Sequence, residues 1–170
     1  MKSIALSFIA LLLFCELGNS QQKMEKINLQ NQEYLKLIHN ACITVYSWDN
    51  MHLCFKNGEY KKEGEDGEIL KPIIFTKFNS NSSEYAIVPM SYWGGGSGQF
   101  YFILLFVKNH DAISQLSCAD VLGSGILNNL RVIQDTVIVN LHDERRDDED
   151  SVSTTKFLFN NNQLTELKKQ

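Results

Sequence analysis

Trp93-Gly94-Gly95-Gly96-Ser97-Gly98-Gln99 is the most unusual stretch of this chain. Three consecutive glycines lose much backbone entropy on ordering, so they mark a special turn or a close backbone approach. The stretch has neither the Gly-Lys-Ser/Thr end nor the following helix of a phosphate loop. It also fails as a nucleophile elbow, because position 99 is Gln and a strand-like run follows where a helix is required. What remains is a connection between two strands that can present Tyr92, Trp93, Gly95, Gly96 and Ser97 as a binding surface, aromatic side chains being strong anchors at interfaces. Trp48 and Tyr101 are further aromatics of this kind, with core positions at strand ends as the plainer role.

Other reactive groups are scattered. The histidines stand at 39, 52, 110 and 142, and none pairs with a cysteine at zinc-ligand spacing. No family-type sequence surrounds Cys118 to make it a catalytic thiol. A hydrolase would have to assemble Ser97 with a distant histidine in the fold. His142 to Asp150 places six carboxylates in nine residues, a possible calcium-binding run. Its spacing is not that of a calcium loop, however, and Arg145 and Arg146 offset part of the charge. Asn81-Ser82-Ser83 has the form of an N-glycosylation acceptor. No resident metal or cofactor is expected.

The elements that must carry these groups follow from composition and pattern. With 170 residues, 44% hydrophobic and 21% charged, the chain has ordinary globular composition. A net charge of −4 argues against a general nucleic-acid binder, which needs a basic surface. Lys2, the apolar run Ile4–Phe14 and the small residues Gly18 and Ser20 read as a signal peptide over 1–20, cleaved before Gln21. A secreted or periplasmic location follows, with no transmembrane segment after cleavage, since no other apolar run approaches bilayer-spanning length. Residues 21–40 read as a leader and a short helix, with Tyr34, Leu35, Leu37 and Ile38 on its apolar side.

From residue 41 to 170 the pattern is that of a single mostly-β domain. Asn57-Gly58 marks a tight hairpin, and 61–68 reads as a charged loop. Core strands are expected at Leu70–Phe75, Tyr85–Met90 and Phe100–Lys108, the last apolar on both faces and therefore central and doubly covered. Hairpins over 130–141 and 152–167 complete the chain. The fold class is α+β: one mostly antiparallel β-sheet with a short N-terminal helix packed on it.

Removal of Cys15 with the signal leaves Cys42, Cys54 and Cys118, which allow three different single disulfides. Strands at Ala41–Tyr46 and Met51–Phe55, paired about residue 48, set Cys42 opposite Cys54 and favour that bridge. Cys118 is then a buried thiol.

The order of features resembles a broad group of uncharacterised exported bacterial proteins, whose pattern runs GDxNGDGxxDAxV, GGSGxFxYL and an LGDR-like turn. Asn57-Gly58, the run Phe78–Val88, Gly95–Phe102 and Val121-Leu122-Gly123-Ser124 carry the likeness, and Ile133–Val139 resembles the closing hairpin. Lys77, Asn81 and Tyr85 stand where the group has aspartates, and Ser124-Gly125 replace the charged pair of the turn, so no cation site carries over. The resemblance implies fold and compartment and transfers no catalytic residue. The expected function is a non-enzymatic binding module whose partner is an envelope or extracellular protein. A small-ligand or calcium carrier using 142–150 and the Ser97 hydrolase are the alternatives.

Overall fold

Two neighbouring strands that are buried on both faces set the layers of the structure. The computed structural model describes residues 31–79, 82–96, 98–121, 125–143 and 151–168. The signal segment, the leader as far as residue 30, Asn81, Ser97, Ser124 and the acidic run 144–150 lie outside them. The chain divides into two compact units, Met1–Leu35 and Lys36–Gln170, of which the second contains every strand and both hydrophobic clusters. A helix, α1, spans 31–39.

The strands are β1 (Cys42–Val45), β2 (Met51–Cys54), β3 (Glu59–Lys62), β4 (Glu65–Ile69), β5 (Ile74–Thr76) and β6 (Tyr85–Trp93). They continue as β7 (Gln99–Asn109), β8 (Ala112–Val121), β9 (Ile126–Ile133), β10 (Thr136–His142), β11 (Val152–Asn160) and β12 (Gln163–Glu166). Every pairing is antiparallel. The mostly antiparallel character and the short helix agree with the sequence, but among the described residues there are three sheets rather than one. The central sheet runs β3-β4-β6-β7-β8 with β5 beside β6; β12-β11-β10-β9 form a second, and β1-β2 a third.

Side-chain alternation explains the layering. Tyr85, Ile87, Tyr101, Ile103 and Leu105 point to one side of the central sheet and pack on Val137, Val139, Leu141, Phe157 and Phe159 of the four-stranded sheet. Phe78 stacks on Phe159 with centroids 3.9 Å apart. Ala86, Val88, Met90, Phe102, Leu104 and Phe106 point the other way and pack on Ile38, Ile43, Val45 and Leu53 from the helix end and β1-β2. Phe100–Lys108 is thus the doubly covered central strand that its sequence announces. The four-stranded sheet, by contrast, buries one face and alternates accordingly, as in β11. It closes over the central sheet instead of extending it, which is why a single sheet is not formed.

Three local expectations are corrected. Residues 61–68 are a hairpin, not a loop, turning at Gly64 with φ +76°; strands exposed at a sheet edge accept charged residues freely. The strand expected at Leu70–Phe75 shrinks to β5, because Pro72 has no N–H to give a ladder. β8 has no counterpart in the sequence reading, since its half-buried residues give only a weak alternating signal.

Beyond its apolar packing, the β1-β2 hairpin is tied to β8 by side chains: Ser47 Oγ donates to Asp120 Oδ1 at 2.7 Å, and Gln115 meets the β1 backbone. The N–H of Phe55 donates to the carbonyl of Ala41, so residues 41 and 55 form a hydrogen-bonded pair. By alternation Cys42↔Cys54 and Thr44↔His52 are non-hydrogen-bonded pairs. Cys42 and Cys54 carry the disulfide the sequence favours, and closing a loop of this length stabilises by about 3 kcal/mol. The backbone of Thr44 therefore faces outward. A bulge between Leu105 and Phe106 shifts the register of β8 and brings Gln115 to Thr44. The Thr44 N–H donates to Gln115 Oε1 at 2.8 Å, and Gln115 Nε2 donates to the Thr44 carbonyl at 2.7 Å. The side-chain amide thus does the work of a neighbouring strand. Gln115→Ala leaves both backbone groups without this partner and is expected to lower stability by about 1–3 kcal/mol in equilibrium urea unfolding.

Candidate functional site

The four-stranded sheet does not cover the whole of its face of the central sheet. Where β3 and β4 join the ends of β6 and β7, two cross-strand rows face outward: Glu59-Glu68-Ser91 and Lys61-Asp66-Trp93-Gln99. These residues and Gly67 line an open cleft of about 270 Å³.

Trp93 is its one large apolar wall, 40% exposed. The indole is held, since Trp93 Nε1 donates to the carbonyl of Gly96 at 2.9 Å across the glycine turn. The turn is held as well. Gly95 has φ +75°, and a β-carbon there would lie 2.6 Å from the carbonyl oxygen of Gly64 in the β3-β4 turn. Only glycine allows that approach, which explains at least one member of the glycine run. Ser91 is 4% exposed and borders the floor.

The charges are unevenly matched. Lys61 Nζ sits 2.9 Å from Glu59 Oε2, and that carboxylate, with a smaller contribution from Asp66, raises the lysine above its ordinary value. Glu59 and Glu68 stand directly opposite each other, a like-charge pair that costs stability in a sheet. Among the described residues neither Asp66 nor Glu68 is in an ion pair.

Beneath the cleft, on the opposite face of the same strands, lies an aromatic cluster. Tyr60 donates a hydrogen bond to Glu65 Oε2 at 2.9 Å. Burial first, then this carboxylate, pushes the Tyr60 phenol up to about 12. The same two causes raise Tyr92, and the Tyr60 hydroxyl holds Glu65 below the ordinary carboxylate range. Trp48 packs edge-on against Tyr92, Phe100 and Phe102 at centroid separations of 5.7, 4.4 and 5.5 Å. This cluster fixes the ends of β6 and β7 from below.

The sequence-derived surface is therefore divided by the sheet. Trp93 is exposed at the end of β6 and Gly95 and Gly96 on the loop that follows, whereas Tyr92 is buried in the hairpin-side cluster and Tyr101 in the other. Ser97 lies outside the described residues. Sequence reasoning missed Asp66 and Glu68 because it read 61–68 as a loop, and it missed Glu59 because, with no strand opposite it, the Asn57-Gly58 hairpin gave that residue no partner row. The signal was present in the charge alternation of Glu59-Tyr60-Lys61 and Asp66-Gly67-Glu68, which places the charges on one face once a strand is assumed.

The cysteine and histidine candidates have structural surroundings. Cys118 packs against the hairpin-side core, and burial, then Asp120, pushes its thiol up to about 12, far from thiolate chemistry. His142 Nδ1 is 3.0 Å from the hydroxyl of Ser151, and the Asp143 N–H donates to the Ser151 carbonyl. These bonds close the base of the connection between β10 and β11, with Ser151 buried. Among the described residues no three His, Cys, Asp or Glu side chains come together to hold a metal ion, and no helix is long and apolar enough to cross a membrane. Comparison with known protein-family models, curated proteins and solved structures gives no match.

The lowered Glu65 value has a defined consequence for stability. A carboxylate depressed in the folded state contributes stability that is present above its unfolded value and lost as pH falls through the folded one. Glu65→Gln should lower the melting temperature at pH 7, and the gap between variant and wild type should shrink as the pH is taken below the ordinary carboxylate range, ~4. Thermal melts of both proteins at several pH values check this.

Proposed function

We propose that the chain is an exported, non-enzymatic binding module that takes an envelope or extracellular protein at the Trp93 end of its central sheet. The observation that carries the reading is an exposed indole fixed by its own loop at the edge of a polar cleft. An aromatic side chain already immobilised loses little entropy on binding, which favours it as an anchor. The cleft itself offers carboxylates, a lysine, a serine and an amide, with no histidine or cysteine among its lining residues. Recognition suits that composition better than nucleophilic catalysis does.

Export is supported by the signal-like first twenty residues, by the resemblance to exported bacterial proteins, and by the Cys42–Cys54 disulfide, which persists in oxidising compartments. The β1-β2 hairpin presents both of these cysteines at the surface, where a reducing cytosol would reach them.

The test is affinity capture with oxidised residues 21–170 from envelope and culture-medium fractions, run beside a Trp93→Ala variant. A single stoichiometric partner retained by the wild type, with affinity about thirtyfold lower for the variant, is the expected result. Equal retention by both proteins, or no partner in either fraction, overturns the reading.

A further inference from the structure

We infer that the cleft beside Trp93 recognises an arginine side chain of the partner, its guanidinium lying over the indole between Asp66 and Glu68. The inference rests on the binding reading above and names the chemistry of what is bound.

Three separate features point to this ligand. The first is charge. The cleft sets one lysine against three carboxylates, and Lys61 makes its direct contact with Glu59, so negative charge is in excess at Asp66 and Glu68. Glu68 also faces Glu59 directly, and a bound cation would relieve that repulsion. The second is the aromatic wall. Trp93 is directly opposite Asp66 in register, so a positive group on the indole meets a carboxylate at once, and tryptophan is the side chain that binds cations best through its π face. The third is the floor. Ser91 is 4% exposed and lines the cleft, and its hydroxyl oxygen is an acceptor that a bound donor can use.

The shape of the cation follows from the arrangement of the carboxylates. They lie along two neighbouring rows of a sheet and do not converge on one point as metal ligands do. A planar group with several donors fits a flat wall flanked by carboxylates better than a point charge does. Guanidinium stacks on aromatic faces, pairs with carboxylates through two parallel bonds and is weakly hydrated, whereas an ammonium is compact and holds its water. An anionic or apolar partner segment would meet uncompensated carboxylates here, so the cleft also discriminates against those ligands.

The experiment is a titration of the ¹⁵N-labelled, oxidised chain with N-acetyl-arginine amide and, separately, with N-acetyl-citrulline amide, which has nearly the same shape and no charge. The indole N–H of Trp93, identified by its loss in Trp93→Phe, is followed with the amide signals of Gly94 to Gly96. Saturable shifts with the arginine compound and none with citrulline are expected. The arginine affinity should fall about tenfold or more in Asp66→Asn/Glu68→Gln and decline with added salt. A dispersed spectrum confirms that this surface variant is folded. Equal shifts with citrulline, no shifts with either compound, or an unchanged affinity in the double variant overturns the inference. The captured partner separates it from the parent reading. A partner lost by Trp93→Ala but retained by Asp66→Asn/Glu68→Gln leaves the binding module standing and removes the arginine. A partner retained by Trp93→Ala removes both.

Discussion

The structure depends on β6 and β7 being apolar on both faces at once. A strand with one apolar face needs one partner layer, whereas these two need a layer on each side. The chain supplies them from its two ends: the helix end and the disulfide-bonded hairpin from one, four late strands from the other. The two layers are covered by different means. On one side a whole sheet presents its own alternating apolar face. On the other, a two-stranded hairpin too small to stand alone in water is held by a covalent bridge, an aromatic lid at Trp48 and the amide of Gln115.

This unequal covering also produces the candidate site. The four-stranded sheet reaches across β6 to β8 and stops before β3 and β4, so a strip of the central sheet is supported from below by Tyr60, Tyr92 and Trp48 and left open above. A surface built on paired strands is stiffer than one built on a free loop. The glycine turn joins it because Gly95 rests on the β3-β4 turn, and the indole of Trp93 is drawn in by the carbonyl of Gly96. Rigidity at this end is therefore a property of the backbone, and the charged side chains are carried on a frame that does not depend on them.

What the sequence revealed follows the strength of its local signals. The run Phe100–Val107 was unambiguous because apolar residues in succession demand cover on both faces. Asn57-Gly58 predicted its turn, and both residues indeed have positive φ. The Cys42–Cys54 bridge was legible because two short strands around a turn leave little choice of register. The division into three sheets was not, since the choice between extending a sheet and folding back over it is made by long-range packing. β8 was hidden for a related reason: its bulge breaks the period of two at Leu116, and that same break turns Gln115 toward β1. The site was half legible. Trp93 and the glycines stood out by composition, but which of two adjacent aromatics faces solvent depends on strand register. That placed Tyr92 in the core and Trp93 outside.

Neighbours in the chain are almost everywhere neighbours in space, and this bears on how the chain folds. β6, β7 and β8 form one continuous meander, and β9 to β12 form another. Pairing within either meander closes only small loops, so each sheet can gather by local steps, and the long-range cost is concentrated in bringing their apolar faces together. Phe78, which lies ahead of the first meander in the chain, stacks on Phe159 of the second and is one of the contacts that join them. The topology thus separates local pairing within two ribbons from the long-range contact that makes the sandwich.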